Sequence, residues 1–409
     1  MDQKRSVNPS DDYFTKKEIL KSSAKGILVA LLGFVLFSGM IYWSNSGREY
    51  PLTDSPLYLD EIRHFPADSC GTHVVLIQPW MTTADYSNEQ NFRKKIFGYI
   101  DKGLEQGLIP KGSLIVFTEH IGTWLVAAGE KKSVIDAPTI QKAMTTMLLS
   151  DFFNSGFSLR NIPEGKSRVP VAIFRYKSPE MRRIYRAVFS EVARRTASHV
   201  IAGSIVEYTD PKDSLNAPGL YNVSYIFNDG GAEVAKVFKA YPTSDELDFL
   251  NAYQTPWRRS VVTPVGLTQV FICADSWQPH AYLQAKADSA WFVAVPSFIT
   301  GTGHLQQKWQ GYDGCPTPED VAHADIGNIT EAEAWDRYAL PGRLPLAGTN
   351  NGCNVFLRGE LWDLGSDGHS YFIRNGELLK GDTTARACIL SACFQPGRWG
   401  GGEVRNGWY

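Results

Sequence analysis

The chain has 409 residues, enough for one large domain or two smaller ones, with 43% hydrophobic residues and a formal net charge of −2. That balance leaves no basic excess to neutralise a phosphate backbone, which excludes nucleic acid as a main partner. Six cysteines without a CxxC pair and eight histidines without HxxxH or HExxH predict no metal site, and no pattern calls for a cofactor.

Residues 1–25 carry Lys4, Arg5, Lys16, Lys17, Lys21 and Lys25 ahead of "GILVALLGFVLFSGMIYW", residues 26–43, which has no charge. At 1.5 Å per residue this run reaches about 27 Å, close to the width of a bilayer core. Tyr42 and Trp43 stand where an interfacial belt falls, and the positive flank predicts a cytoplasmic N-terminus with the remainder extracytoplasmic, or periplasmic. The leader is long and no small-x-small cleavage site follows, so an uncleaved single-span anchor is expected rather than a signal peptide. An oxidising compartment would permit disulfides, whose connectivity the spacing leaves open.

Residues 44–70 read as a polar tether, and residues 71–395 as the main domain. "THVVLIQPW" at 72–80 is a buried strand by its β-branched content, and Phe92, Ile96, Phe97, Ile100, Leu104 and Leu108 keep helical spacing after it. "SLIVFTEH" at 113–120 is the next strand, and a helix is expected over 138–154. Another should start with Ser178 as N-cap and Pro179 in its first turn, and run to about 198. Its Arg182, Arg183, Arg186, Arg194 and Arg195 alternate with apolar residues as on a solvated helix face.

The strand "HVIAGSIVEY" follows, and then a hairpin over 220–242 that turns at Asp229, Gly230 and Gly231. "VFICADSW" at 270–277 ends a further strand, and "SAWFVAVPSF", "LPLAGTNNGCNVFL", "SYFIRNGELL" and "ARACILSACF" supply the late ones. Strands interleaved with helices early and dominant late predict an α/β sandwich. Residues 298–332 have no readable pattern and suit an exposed insertion better than a lid. Residues 396–409 are a Gly/Trp-rich tail, and sequons occur at Asn222 and Asn328.

A lone cysteine is more often inert core than nucleophile. Cys273, however, shares with Glu119 and Lys239 a position at the end of a predicted strand, where open sheets gather their sites. A thiolate can attack a carbonyl or nitrile carbon, a carboxylate can carry the proton, and an ammonium can stabilise the oxyanion. The ammonium should also favour the thiolate. An ordinary ion pair between Glu119 and Lys239 fits the periodicity equally well.

These segments resemble the nitrilase or carbon-nitrogen hydrolase superfamily, whose members use a glutamate, a lysine and a cysteine. "HVVLIQPW" with Asn91, "LIVFTEH", "VAKVFKAYP", "VFICADSW" and "PLAGTNNGCNVFL" are similar to its successive motifs, in the family's order, over about residues 72–393. The resemblance implies a four-layer αββα sandwich, often paired into homodimers, and a domain at 71–395 of that family. It also implies Glu119 as general base, Lys239 as oxyanion stabiliser, Cys273 as nucleophile, the Ala274 amide in the oxyanion hole and Glu246 as a further glutamate. Thr118 and Tyr241 depart from the usual proline and histidine, and Lys236 falls on the other face of its strand. "TNNG" is similar to apolipoprotein N-acyltransferases, although this chain has one span where those have several.

The expected function is hydrolysis of a non-peptide amide or nitrile through a thioester, with a small-molecule amide or acyl compound as substrate. The alternatives are an N-acyltransferase that passes the acyl group to an amine, and a catalytically silent binding domain. Trp277 and Phe298 are the candidate pocket residues, and Trp291 and Trp309 are further aromatics that could line it, although such residues are more often core.

Overall fold

Strand β2, Thr72–Gln78, sends Val74 and Leu76 to one side and Val75 and Ile77 to the other, and all four are fully buried. A strand with period-two side chains that is apolar on both faces must be covered on both. Two sheets and flanking helices supply that cover. The computed structural model describes residues 9–52, 55–151, 158–160, 162–210, 212, 215–254 and 260–397, so the tail beyond Gly397 lies outside the described residues.

The first sheet runs β1 (Glu61–Phe65), β16 (Cys388–Phe394), β2, β4 (Leu114–Val116), β5 (His199–Ile201), β7 (Gly219–Phe227) and β6 (Ile205–Thr209), with β8 (Glu233–Phe238) also paired to β7. The second runs β15 (Glu377–Lys380), β14 (Tyr371–Arg374), β12 (Gly352–Phe356), β11 (Phe292–Ser297), β10 (Gly266–Val270) and β9 (Val261–Thr263). A small pair joins β3 (Trp80–Thr82) to β13 (Arg358–Glu360). Among the helices, α1 is Pro9–Asn45, α2 Glu89–Glu105, α3 Ile140–Ser150, α4 Arg168–Thr196, α5 Ser244–Leu247, α6 Pro279–Ala287 and α7 Glu331–Tyr338.

Three apolar clusters define the layers. Val74, Leu76, Leu114 and Val116 of the first sheet meet Phe292, Ala294, Val355 and Phe372 of the second, which places the sheets face to face. On the outer side of the first sheet, Val75, Ile77 and Ile115 pack against Phe92 and Ile96 of α2 and Ile184 and Val188 of α4. Val293 and Val295 of the second sheet pack outward against Tyr282 of α6 and Trp335 of α7. The result is the four-layer αββα sandwich that was expected.

Several elements differ in detail. The segment expected as a tether contains β1, which pairs in parallel with β16. Its "EIRHF" shows three exposed residues of five, as suits an edge strand, and so lacks the apolar run by which the other strands are read. "HVIAGSIVEY" is two strands, broken where Gly203 turns with φ 71°. The helix expected from Ser178 begins ten residues earlier, at Arg168, and Pro179 lies inside it. The Ser178 hydroxyl donates to the Phe174 carbonyl in that turn, 2.7 Å away, so Ser178 is a helix-interior residue and not a cap. The arginines of α4 make ion pairs, among them Arg182 with the buried Glu207 at 2.7 Å and Arg186 with Glu233 at 3.0 Å. Residues 298–332 are not simply an exposed insertion, because Trp309 stacks on Trp277 in the outer core of the second sheet.

The chain divides into two compact units, residues 1–49 and 50–409. In the first, Ser23–Asn45 is long and apolar enough to cross a membrane, and Ile27, Val29, Phe34 and Leu36 on it are exposed.

Candidate active site

Three chain segments leave their strands and converge. β4 ends at Val116 and leads through Phe117 and Thr118 to Glu119; β8 ends at Phe238, immediately before Lys239; β10 ends at Val270, three residues before Cys273. Each of the three side chains is buried, and all three line a cavity of about 520 Å³. The first two come from one sheet and the third from the other, so the sandwich itself brings the trio together.

Lys239 Nζ donates to Glu119 Oε1 at 2.8 Å and to Glu246 Oε2 at 2.5 Å. Burial alone would strip its proton, but the carboxylates of Glu119 and Glu246 hold its pKa well above the ordinary lysine value. Glu246 sits in α5, where Thr243 caps the turn and donates its own N–H to Glu246 Oε2 at 2.9 Å. Burial pushes that carboxyl up, yet the Lys239 ammonium and the His120 ring outweigh it and hold it below the usual carboxylate range. The loosely matched Glu246 is therefore a direct partner of Lys239. Lys236 lies outside the cluster, with Nζ 4.6 Å from the Tyr225 ring centroid.

Cys273 adopts φ 46°, in the left-handed region, at the start of a 3-10 turn over Cys273–Trp277. Its thiol points at the Phe298 carbonyl, 3.7 Å away. Burial, reinforced by the Glu119 carboxylate, drives the thiol pKa well above its normal value, and the opposing pull of Lys239 does not reverse this. The ammonium does favour the thiolate, as expected, but burial outweighs it. Ala274 follows in the turn and is half-buried.

Asp275, the third residue of the C-x-D signature, braces the turn that carries Cys273. Its carboxylate accepts from the backbone N–H groups of Ala240 at 3.0 Å, Tyr241 at 2.8 Å and Ile272 at 3.2 Å. The strand exit that carries Lys239 is thereby tied to the turn that carries Cys273. Burial raises this carboxyl to about 7, against the pull of Lys239 and its three backbone donors.

Asn222 and His120 were missed by sequence reasoning. The Asn222 amide donates to Glu119 Oε1 at 2.9 Å and to Glu246 Oε1 at 3.1 Å, holding the two carboxylates in register. Its sequon is no glycosylation site in this fold, because the side chain is only 2% exposed. His120 Nε2 lies 3.2 Å from Glu246 Oε1, and its Nδ1 lies 2.9 Å from the Thr123 hydroxyl. Glu119, His120 and Glu246 have a geometry that could hold a cation. The Lys239 ammonium already occupies the space between the two carboxylates and would repel one.

Of the two candidate pocket aromatics, Phe298 lines the cavity and Trp277 does not. Trp277 is packed among Trp309, Tyr312 and Trp335, its indole turned to the outer core. Trp309 shares that core, and Trp291 is 38% exposed with its indole N–H on the Gln395 carbonyl. The cavity wall is built instead by Trp124, Ile140, Met144, Phe174 and Phe249 beside Phe298. No local pattern marks these residues, because they arrive from α3, α4 and two turns.

A buried thiol on a tight turn, a carboxylate and an ammonium thus meet at one cavity in an αββα sandwich. Comparison with solved structures finds similarity to amidases, one named as of the nitrilase superfamily, and to a carbon-nitrogen hydrolase. An amidase from Nesterenkonia sp. is 13% identical, over 79% of this chain and 91% of its own, with a TM-score of 0.48. A cysteine-to-serine mutant of a nitrilase-superfamily amidase from Nesterenkonia is 13% identical over 80% and 92%, with a TM-score of 0.49. A carbon-nitrogen hydrolase from Helicobacter pylori is 15% identical over 79% and 89%, also at 0.49. No protein-family model and no curated protein matches the chain.

Proposed function

We propose that the protein is a membrane-anchored hydrolase of carbon-nitrogen bonds other than peptide bonds, with Cys273 as nucleophile, Glu119 as general base and Lys239 as oxyanion stabiliser. The observation that carries this reading is the single cavity onto which all three open, with Lys239 and Glu119 in contact at 2.8 Å. Glu119 takes the Sγ proton as sulfur bonds to the amide carbon. The carbonyl electron pair moves to oxygen, where Lys239 and the Ala274 amide stabilise it. Collapse breaks the C–N bond, the amine leaves with the proton from Glu119, and a thioester remains. Water, deprotonated by Glu119, releases the acid and restores the thiol.

The substrate class follows from the wall. Trp124, Ile140, Met144 and Phe298 suit an apolar acyl group, while the exposed Asp245 and Asp248 stand at the same cavity. A small-molecule amide with an apolar acyl portion is the best fit, or the corresponding nitrile. The same apolar wall supports a second reading, in which an amine instead of water resolves the thioester. Ser23–Asn45 serves as an uncleaved anchor, with the N-terminus cytoplasmic and residues 50–409 extracytoplasmic. The Cys70–Cys393 disulfide is in keeping with an oxidising compartment.

The test is acid-quenched intact-mass spectrometry of the detergent-extracted chain and its Cys273→Ala variant, incubated with amides of increasing acyl length. An acyl adduct on the unmodified chain alone is expected. Equal turnover by Cys273→Ala would overturn the mechanism, and formation of a new amide when an amine is added would select transfer over hydrolysis.

A further inference from the structure

The Cys70–Cys393 disulfide has company that a disulfide does not need. His64 stands on β1 opposite Ser391 of β16, and His73 on β2 opposite Cys393. Residues 391 and 393 share one face of β16, so both imidazoles and the sulfur crowd together. The rings stack with centroids 5.3 Å apart. Their Nε2 atoms lie 3.6 Å (His73) and 4.0 Å (His64) from Cys393 Sγ. The ligand atoms of Cys70, His73 and Cys393 all fall within 4.8 Å of one another.

The 3.6 Å between His73 Nε2 and Cys393 Sγ is the spacing of adjacent ligands in a tetrahedral metal centre, and His64 lies close enough to complete one. Zinc bonds of about 2.3 Å to sulfur and about 2.0 Å to nitrogen place adjacent sulfur and nitrogen ligands about 3.6 Å apart. The other nitrogen of His73 is already committed, with Nδ1 3.1 Å from the Ser391 hydroxyl. Such an outer hydrogen bond is the usual device that fixes the ring of a metal-binding histidine.

We propose that Cys70, Cys393, His73 and His64 form a redox-gated site for a tetrahedral thiophilic cation of the zinc class, closed while the disulfide stands. Thiol–disulfide exchange with a dithiol delivers two electrons and two protons to the S–S bond. It yields two thiols and oxidises the dithiol to its own disulfide. The cation displaces the two thiol protons to water, and the two imidazole lone pairs complete its coordination. Two thiolates and two neutral rings cancel the charge of a divalent ion. Either state ties the segment before β2 to β16, so the latch survives reduction wherever the cation is present.

The probe is Co²⁺, added to the full chain in detergent after reduction with a phosphine, which takes up an oxygen from water as it opens the disulfide. One equivalent should bind with thiolate-to-cobalt charge-transfer absorption and tetrahedral d–d bands, and the oxidised chain should give neither. Cys70→Ser should cut the charge-transfer intensity by about half or more, since one of two thiolates is lost, and His73→Ala should weaken binding about tenfold or more. His64→Ala, at an exposed side chain, supplies the affinity reading should Cys70→Ser not fold. Absence of the charge-transfer band from reduced protein would overturn the proposal. So would equal binding by the oxidised chain, or undiminished binding by the histidine variants.

Discussion

Burial and the Glu119 carboxylate both oppose a second negative charge in the cavity and push the Cys273 thiol pKa above its ordinary value. Its alkylation by iodoacetamide, followed by peptide mass spectrometry, should accelerate with pH through 9 without a plateau. A plateau near pH 7 would mark a stored thiolate. Among the described residues, Lys239 is the ammonium that pairs with both Glu119 and Glu246, so its removal leaves two buried carboxylates side by side. Lys239→Ala should therefore lose activity and also about 3–5 kcal/mol of stability in denaturant unfolding. Adding Glu246→Gln should restore part of that stability and none of the activity. The meeting of Glu119, Lys239 and Cys273 at one cavity was legible because each closes an apolar run. Asn222 and His120 were not, since an asparagine within a strand and a histidine after one look the same whether or not they meet a carboxylate. Trp277 was misplaced for a similar reason: an aromatic near a strand end carries no mark of which layer it enters.

At the scale of elements, the strands buried on both faces were read correctly as apolar runs, and the hairpin was read from its Asp-Gly-Gly turn. The edge strand β1 and the true start of α4 were hidden, one by its charged residues and the other by a proline that the helix absorbs. Least legible was the brace for α5. Asp313 Oδ2 accepts from the Ser244 N–H at 3.1 Å, and Gly314 sits at φ 72° against the same turn. A Cβ on Gly314 would stand 2.5 Å from the Pro242 carbonyl, and L side chains rarely adopt that φ. Segment 298–332 thus supports the turn that carries Glu246, a link formed only in the folded chain. Gly314→Ala should displace Glu246 from Lys239 and lower kcat about tenfold, equivalent to ~1.4 kcal/mol in the barrier. Steady-state kinetics with a soluble amide would check this, and an unchanged kcat would remove segment 298–332 from the support of the site.

At the scale of the molecule, the division at residues 49 and 50 separates two kinds of physics. Residues 50–409 hold three buried apolar clusters and every group of the proposed catalytic machinery. The first unit offers a long exposed apolar helix, whose free energy depends on its solvent and not on the chemistry of Cys273. Localisation and catalysis should therefore be separable. A chain beginning at Tyr50 should remain in the supernatant after ultracentrifugation and keep kcat/KM within about twofold on a water-soluble amide, less than ~0.4 kcal/mol in the barrier. The same truncation should lose rate on an amide confined to vesicles, because the anchor raises the local concentration of enzyme at that surface. If the truncated chain instead lost activity on both substrates while remaining folded by circular dichroism, the N-terminal helix would have to contribute to the site, and the anchor reading would give way to one of substrate delivery.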